Sequence, residues 1–537
     1  MRKLLVASIW SWAIVVAGTT PTLTGPAHTW PLWRDGRSLC QLVLPTTDQS
    51  AARLARTTLT HFLHDLYGIG LPEEADPAQP GTYIVFGRPE NNPTLAKLVR
   101  VGLKLSPAEI GEEGFQLLTY EDGSSRYIVG YGRTARALKH ACQELIFYRI
   151  LAQPGSAVIE SPLHATMKPA VAYRGVYMLP CWSAQDSLES WQRVLRFNSE
   201  LTLNRNWFWL DGFPVAGHTG EYTNTALADS ANVQGLLNLA AAEEMKIYIG
   251  GGWFTWHHEK AVGKNYALGQ QYYLDYLKAF TNFHGFYIEP TGEGEEIKNW
   301  RPECDSLRSL VRNVLHERPD FELGLAIGKF NNREYLDLMK DNDPRRVFWW
   351  WCWGDPIRDQ VLELYPTVLR WHLSKKMSEY HGSIEPPSRR DSPLAGVVTS
   401  YDPGQGFGNP WNGWGKLGVN QPRNFHPHTV PYFAQQYFYR ERCWNLDLTE
   451  AEFVARLHRR LFDANARAEA GRYYWQLSRM AQDSVRRQYP TTEQLTPIEK
   501  LLGELKQGPA TPRMADTLAR MGEALTELKR RAPHRPR

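Results

Sequence analysis

GFYIEPTGEGEE, residues 285–296, is the stretch on which the fold turns. Phe286, Tyr287 and Ile288 make an apolar run of the kind that forms a short buried strand. The run stops at Glu289, and Pro290, Gly292 and Gly294 break the next residues into a loop carrying Glu293, Glu295 and Glu296. Carboxylates placed where a strand ends suit a parallel barrel, in which chemistry gathers at the C-terminal ends of the strands.

On either side of it, short apolar segments of the same kind fall at 173–179, 204–210, 246–250, 322–327, 346–351, 367–373 and 394–401, which with 285–289 makes eight. Segments with apolar residues at helical spacing lie between most of them, at 189–198, 231–243, 270–283 and 305–315. Strands alternating with helices argue for βα units on a parallel sheet. The expected class is therefore α/β, a (β/α)8 TIM barrel over residues 172–445, with the seventh strand competing against a single helix over 362–377.

Ahead of the barrel come a strand at 41–45, a helix at 51–67 closed by Gly68, a strand at 82–87 and a helix near 93–101. A hairpin of 114–119 and 127–130 turned at Asp122-Gly123, a helix at 134–151 and a strand at 157–161 come next. Together they predict a small α+β domain over 38–168. Past residue 430 the pattern turns helical, at 432–444, 450–462, 466–482 and two further segments, predicting a helical C-terminal region over 446–537 that packs on the barrel.

A chain of 537 residues calls for two or three domains. Its net charge is only +4 with both signs interspersed, so neither nucleic acid nor an anionic membrane is called for. Arg2 and Lys3, an apolar run over 4–18 and then small and polar residues have the build of a secretory signal peptide within residues 1–27. The run is shorter than the ~20 residues of a spanning helix. The expectation is a secreted or periplasmic protein with no stable membrane span, a retained N-terminal anchor being the alternative. Cys40, Cys142, Cys181, Cys304, Cys352 and Cys443 show neither CxxC nor Cys/His metal spacing, and their spacing names no disulfide pair. Dinucleotide-binding, P-loop, HExxH and nucleophile-elbow motifs are absent from the sequence.

FGRPENNPTLAKL (86–98) and EEGFQLLTYEDGSSRYIVGYGRTARALKHACQEL (112–145) resemble the N-terminal domain that precedes many secreted glycoside-hydrolase barrels, including those of the β-hexosaminidase and α-glucuronidase families. The stretch YRGVYMLPCWSAQDSLESWQRVLRFNSELTLNRNWFWLDG (173–212) is similar to the opening of the hexosaminidase barrel, where an Arg-Gly pair begins strand one and an acidic residue closes strand two. Residues 432–477 resemble the helices that follow the barrel in α-glucuronidase-like proteins. The resemblance implies that Arg174 binds sugar hydroxyls, a role suited to a planar five-donor guanidinium; a buried structural salt bridge is the other reading of that residue. It also implies a site role for Asp211, which a strand ending in Asp-Gly sets at the mouth. Arg88, Glu90 and Asn91 read as loop and cap chemistry.

Glycoside hydrolysis needs a proton donor for the leaving oxygen and a second carboxylate flanking the same bond. Glu289 and Glu293 are the candidate donors by position. Asp355 after strand six and Asp402 after strand eight are the carboxylates left to activate water. The hexosaminidase family ends strand four in an Asp-Glu pair, which is absent here, while the α-glucuronidase family inverts; inversion is the expected course. Trp253 and Trp256 offer flat faces for pyranose stacking beside His257, and Trp353, Tyr401, Trp411 and Trp414 extend the groove. The expectation is an exported glycosidase acting on an oligo- or polysaccharide, with no metal or organic cofactor required. Its rival is a non-catalytic carbohydrate-binding protein on the same scaffold, because neither family's acid set is complete.

Overall fold

The computed structural model describes residues 28–74, 77–178, 187–209, 225–252, 266–289, 300–327, 342–343, 346–351, 368–371, 394–401, 428–485 and 488–531. The N-terminal unit is built on a five-stranded sheet in the order Cys40–Val43, Thr82–Gly87, Ser125–Gly132, Phe115–Asp122 and His164–Met167. Helix Gln49–Tyr67 covers one face. Asp48 caps it by accepting from the Ala51 amide at 3.0 Å, and Gly68, at φ 68°, ends it in the left-handed conformation that costs a glycine least. The predicted hairpin turns as expected at Gly123. Asn91 and Asn92 serve the loop, Asn91 accepting from the Arg88 amide at 2.7 Å and Asn92 capping Pro93–Arg100.

The N-terminal unit also contains a second sheet, of which the sequence pattern announces only the strand at 157–161. His28–Arg34 pairs antiparallel with Ser156–Ser161, flanked by Arg37–Ser38 and Ile150–Gln153. The unit therefore includes residues 28–37, ahead of the expected start at 38. The predicted helix over 134–151 is α-helical only across Ala135–Glu144, passes through a π turn at Leu145–Arg149 and gives way to strand at Ile150.

Eight parallel strands then close on themselves: Tyr173–Met178, Arg205–Trp209, Lys246–Gly252, Gly285–Glu289, Glu322–Ile327, Val347–Trp351, Val368–Trp371 and Leu394–Tyr401. Every neighbouring pair is parallel, including the last with the first. The seventh segment is strand where it is described. Helices Leu188–Glu200, Ser230–Ala242, Tyr266–Ala279 and Trp300–Glu317 follow the first four strands. The strands' outer residues meet these helices and the turns that lead into the strands; Phe286 lies 4.9 Å from Tyr273 on helix Tyr266–Ala279, and 5.5 Å and 5.9 Å from Phe283 and Phe321 in the turns ahead of strands four and five, ring to ring.

The inner face is filled differently. Arg205 and Glu322, on non-adjacent strands, meet at 3.1 Å, a contact that only the barrel interior allows. Tyr248 stacks on Trp207 at 5.0 Å between centroids. Gly175 leaves the room for that indole, because a Cβ there would stand 1.9 Å from it. Gly175→Val is accordingly expected to destabilise the fold by about 1–3 kcal/mol through overpacking, read as a lowered urea midpoint; an unchanged midpoint would place the indole elsewhere.

Helices Val430–Trp444, Glu450–Leu461, Glu469–Val485, Thr492–Gln507 and Pro512–Arg531 complete the chain. Thr449 with Glu452 and Thr491 with Gln494 form capping boxes that start two of them. These helices join both preceding parts. The Tyr439 hydroxyl lies 3.2 Å from the Gly175 amide, Trp444 donates to Thr202 at 2.7 Å, and Arg513 donates to the Tyr67 hydroxyl at 2.6 Å. One continuous apolar core runs from Trp30 to Leu528. Among the described residues no helix is long and apolar enough to cross a membrane.

Candidate active site

The strand ends define the mouth. Glu289 is the last residue of the fourth strand and pairs with Gly252, the last of the third. Tyr401 ends the eighth and pairs with Met178, the last of the first. Both are rim positions, as the sequence pattern predicts. Asp211, Trp253, Trp256, His257, Glu293, Trp353, Asp355, Asp402, Trp411 and Trp414 lie outside the described residues.

Arg174 is the one predicted site residue whose side chain is described, and it serves the opposite end of the barrel. It is the second residue of its strand, fully buried. Its guanidinium donates to the carbonyls of Val171 at 2.9 Å, Ala172 at 3.1 Å and Thr202 at 3.1 Å, all just before strands one and two. Its remaining charge is met by Glu113 of the N-terminal unit, and Glu113 also takes Arg136 at 2.6 Å and Asn204 at 2.9 Å. Burial works against the Glu113 carboxylate, but Arg174 and Arg136 outweigh it and hold the group well below the usual carboxylate range. The substrate-binding assignment of Arg174 is therefore corrected. The guanidinium has spent its donors on the junction between the barrel floor and the N-terminal unit, and the buried salt bridge is the reading the geometry supports.

A second ionic group closes the floor from inside. Arg205 lies 3.6 Å over the Tyr173 ring and bonds the Tyr248 hydroxyl at 3.0 Å, while Lys246 and Tyr248 both bond Glu322. Burial opposes the Glu322 charge, but Arg205 and Lys246 overcome it and hold the carboxyl at about 2. Burial, with Lys246 adding, pushes His284 down to about 4. Neither Arg205 nor Glu322 stands out as a site in the sequence; their signal is a charged residue opening an otherwise apolar strand, as in NRNWFW and FELGLAI. This floor belongs to the face of a barrel that carries stability rather than chemistry.

The floor sets an acid limit on the fold. A histidine held at about 4 against 6.5 when unfolded contributes stability that is complete above pH 6.5 and lost as pH falls through 4. A carboxylate held at about 2 against 4.5 repeats the pattern lower, complete above pH 4.5 and lost as pH falls through 2. Urea midpoints measured across this range are expected to fall steadily on acidification, and His284→Gln to flatten the upper limb. A midpoint that holds level from neutrality to pH 4 would contradict the assignment.

Cys40, Cys142 and Cys443 are buried free thiols, and burial pushes the Cys40 and Cys443 thiols up to about 12.

No protein-family model and no curated sequence matches this chain. Solved structures do. The chitobiase of Flavobacterium johnsoniae aligns at a TM-score of 0.52 and 11% identity over 85% of this chain and 71% of its own. The GH20 β-N-acetylhexosaminidase of Streptomyces coelicolor A3(2) aligns at 0.51 and 13% identity over 84% and 95%. The GH20 exo-β-N-acetylglucosaminidase of Vibrio harveyi aligns at 0.50 and 13% identity over 81% and 74%. The alignment spans most of the chain, and what it establishes is a shared fold: the chain is built like the GH20 β-hexosaminidases.

Proposed function

We propose that the protein is an exported glycoside hydrolase that cleaves an oligo- or polysaccharide with a pair of carboxylates at the barrel mouth. The observation that carries this is Glu289, the last residue of the fourth strand, on the rim of a closed parallel barrel that shares the fold of known glycosidases. Glu289 or Glu293 donates the proton to the leaving oxygen. Asp355 or Asp402 activates water. Asp211, Trp253, Trp256, His257, Trp353, Tyr401, Trp411 and Trp414 bind the sugar, its rings stacking on the indoles.

The signal-peptide build of residues 1–27 supports export to the periplasm or medium, which N-terminal sequencing of the mature protein tests. The absent Asp-Glu pair favours inversion over the retaining course of the GH20 enzymes. The anomer first released decides between them. The test of the whole reading is turnover of a panel of 4-nitrophenyl glycosides and oligosaccharides by the purified protein. Turnover that vanishes in Glu289→Gln or Glu293→Gln supports it. Binding of glycans without turnover of any would leave a carbohydrate-binding protein on a glycosidase scaffold.

A further inference from the structure

Glu200, the last residue of helix Leu188–Glu200, sits where the three parts of the chain meet, and its side chain is only 11% exposed. A carboxylate so enclosed needs cations to meet its charge. Arg460, on helix Glu450–Leu461, donates from Nη2 to Oε1. The same guanidinium reaches the Tyr148 hydroxyl of the N-terminal unit at 3.4 Å and lies 3.8 Å over the Phe147 ring. Arg460 therefore answers one oxygen of Glu200 while holding the N-terminal unit as well.

The other oxygen, Oε2, faces a histidine. His428 stands two residues ahead of helix Val430–Trp444, and its Nε2 lies 3.6 Å from Oε2. Rings on two elements set the imidazole: Phe197 of the barrel helix at 5.1 Å and Phe433 at 5.7 Å, between centroids. The contact is long for a hydrogen bond between neutral partners, and within the reach of an ion pair.

Two further cationic groups look toward Glu200 from the N-terminal unit, and both are engaged elsewhere. Lys139 binds Ser199 and Glu243, and His61 lies 3.1 Å from Asp65. Burial raises the Glu200 carboxyl above its ordinary value in spite of Arg460. The charge on Glu200 is thus incompletely met at neutral pH, and the imidazole stands where a second cation would meet it.

We propose that His428 and Glu200 form an acid-tightened clasp between the barrel and the C-terminal helices. A histidine takes up its proton at and below about pH 6.5. The imidazolium then pairs with Oε2 while Arg460 keeps Oε1, so a single carboxylate ties the first barrel helix to the head of Val430–Trp444 and to Glu450–Leu461. Because the folded chain holds this proton more tightly than the unfolded chain, the added stability is present below about pH 6.5 and lost as pH rises above it. The barrel floor, through His284 and Glu322, acts in the opposite sense, so the clasp is read as a difference between variants at one pH.

The test is urea unfolding of the full chain at about pH 5.5 and about pH 8, on either side of the histidine's titration, for wild type, His428→Gln, Glu200→Gln and the double variant. His428→Gln is expected to match wild type in the alkaline condition. In the acid one its folded-to-unfolded ratio falls about two- to fivefold, the scale of an ion pair with one partner partly exposed. In the Glu200→Gln background the same substitution makes no pH-dependent difference. A deficit of His428→Gln that is equal in both conditions reduces the ring to packing against Phe197 and Phe433 and overturns the proposal. So does a deficit that grows toward alkaline pH, or one that keeps its pH dependence without Glu200. Should Glu200→Gln fail to fold for want of a partner to Arg460, the two-pH comparison of His428→Gln with wild type decides alone.

Discussion

Glu113→Ala is expected to lower the free energy of unfolding by about 3–5 kcal/mol, the cost of leaving a buried charge without its partner. Arg174 is 0% exposed and Glu113 18%, so solvent does little to compensate. The neighbouring carboxylate provides the control. Glu112 pairs with Arg133 at 3.2 Å at the surface, where an ion pair contributes about 0–1 kcal/mol, and Glu112→Ala should barely move the denaturant midpoint. Adding Arg174→Met to Glu113→Ala should recover part of the loss, since removing both charges costs less than stranding one. A Glu113→Ala loss no larger than that of Glu112→Ala would mean that the junction is solvated and the floor open.

Glu289→Gln is expected to cut kcat by about 10²–10⁴ if residue 289 is the proton donor, the range by which a placed general acid accelerates such steps. Glutamine keeps the shape but cannot give up a proton, so the loss should be larger for natural glycosides than for 4-nitrophenyl glycosides, whose leaving group needs little help. The alkaline limb of the pH profile should disappear with the carboxyl. Its thermal midpoint should match wild type. Should Glu289→Gln stay within a few-fold of wild type while Glu293→Gln collapses, the donor is Glu293; activity surviving both substitutions removes the acid from strand four altogether.

The barrel is largely legible in the sequence because its strands are buried on both faces and so appear as unbroken apolar runs between turn residues. GFYIE, ELGLAI and LAGVVTSY match their strands end to end. What resists is pairing at a distance. HTWPLWR carries a proline and no clean alternation, and it becomes a strand only because Ser156–Ser161 lies against it. Arg174 reads equally well as a sugar ligand or a structural cation because its deciding partner, Glu113, sits 61 residues earlier in another unit. The apolar pattern of strand three stops at Gly250, since glycine weakens a strand pattern; the register with Tyr287, Ile288 and Glu289 is what carries the strand on.

The bond from Arg513 to Tyr67 joins residues 446 apart, and the last helix lies against the first. A ribosome adding about 5–20 residues each second needs roughly half a minute to two minutes for a chain of this length. For most of that interval Gln49–Tyr67 has been made while the last helix, one of the elements that pack against it, has not. Helix Ala135–Glu144 shelters the first helix long before that, and the seal that the last helix adds forms only once synthesis has passed residue 513.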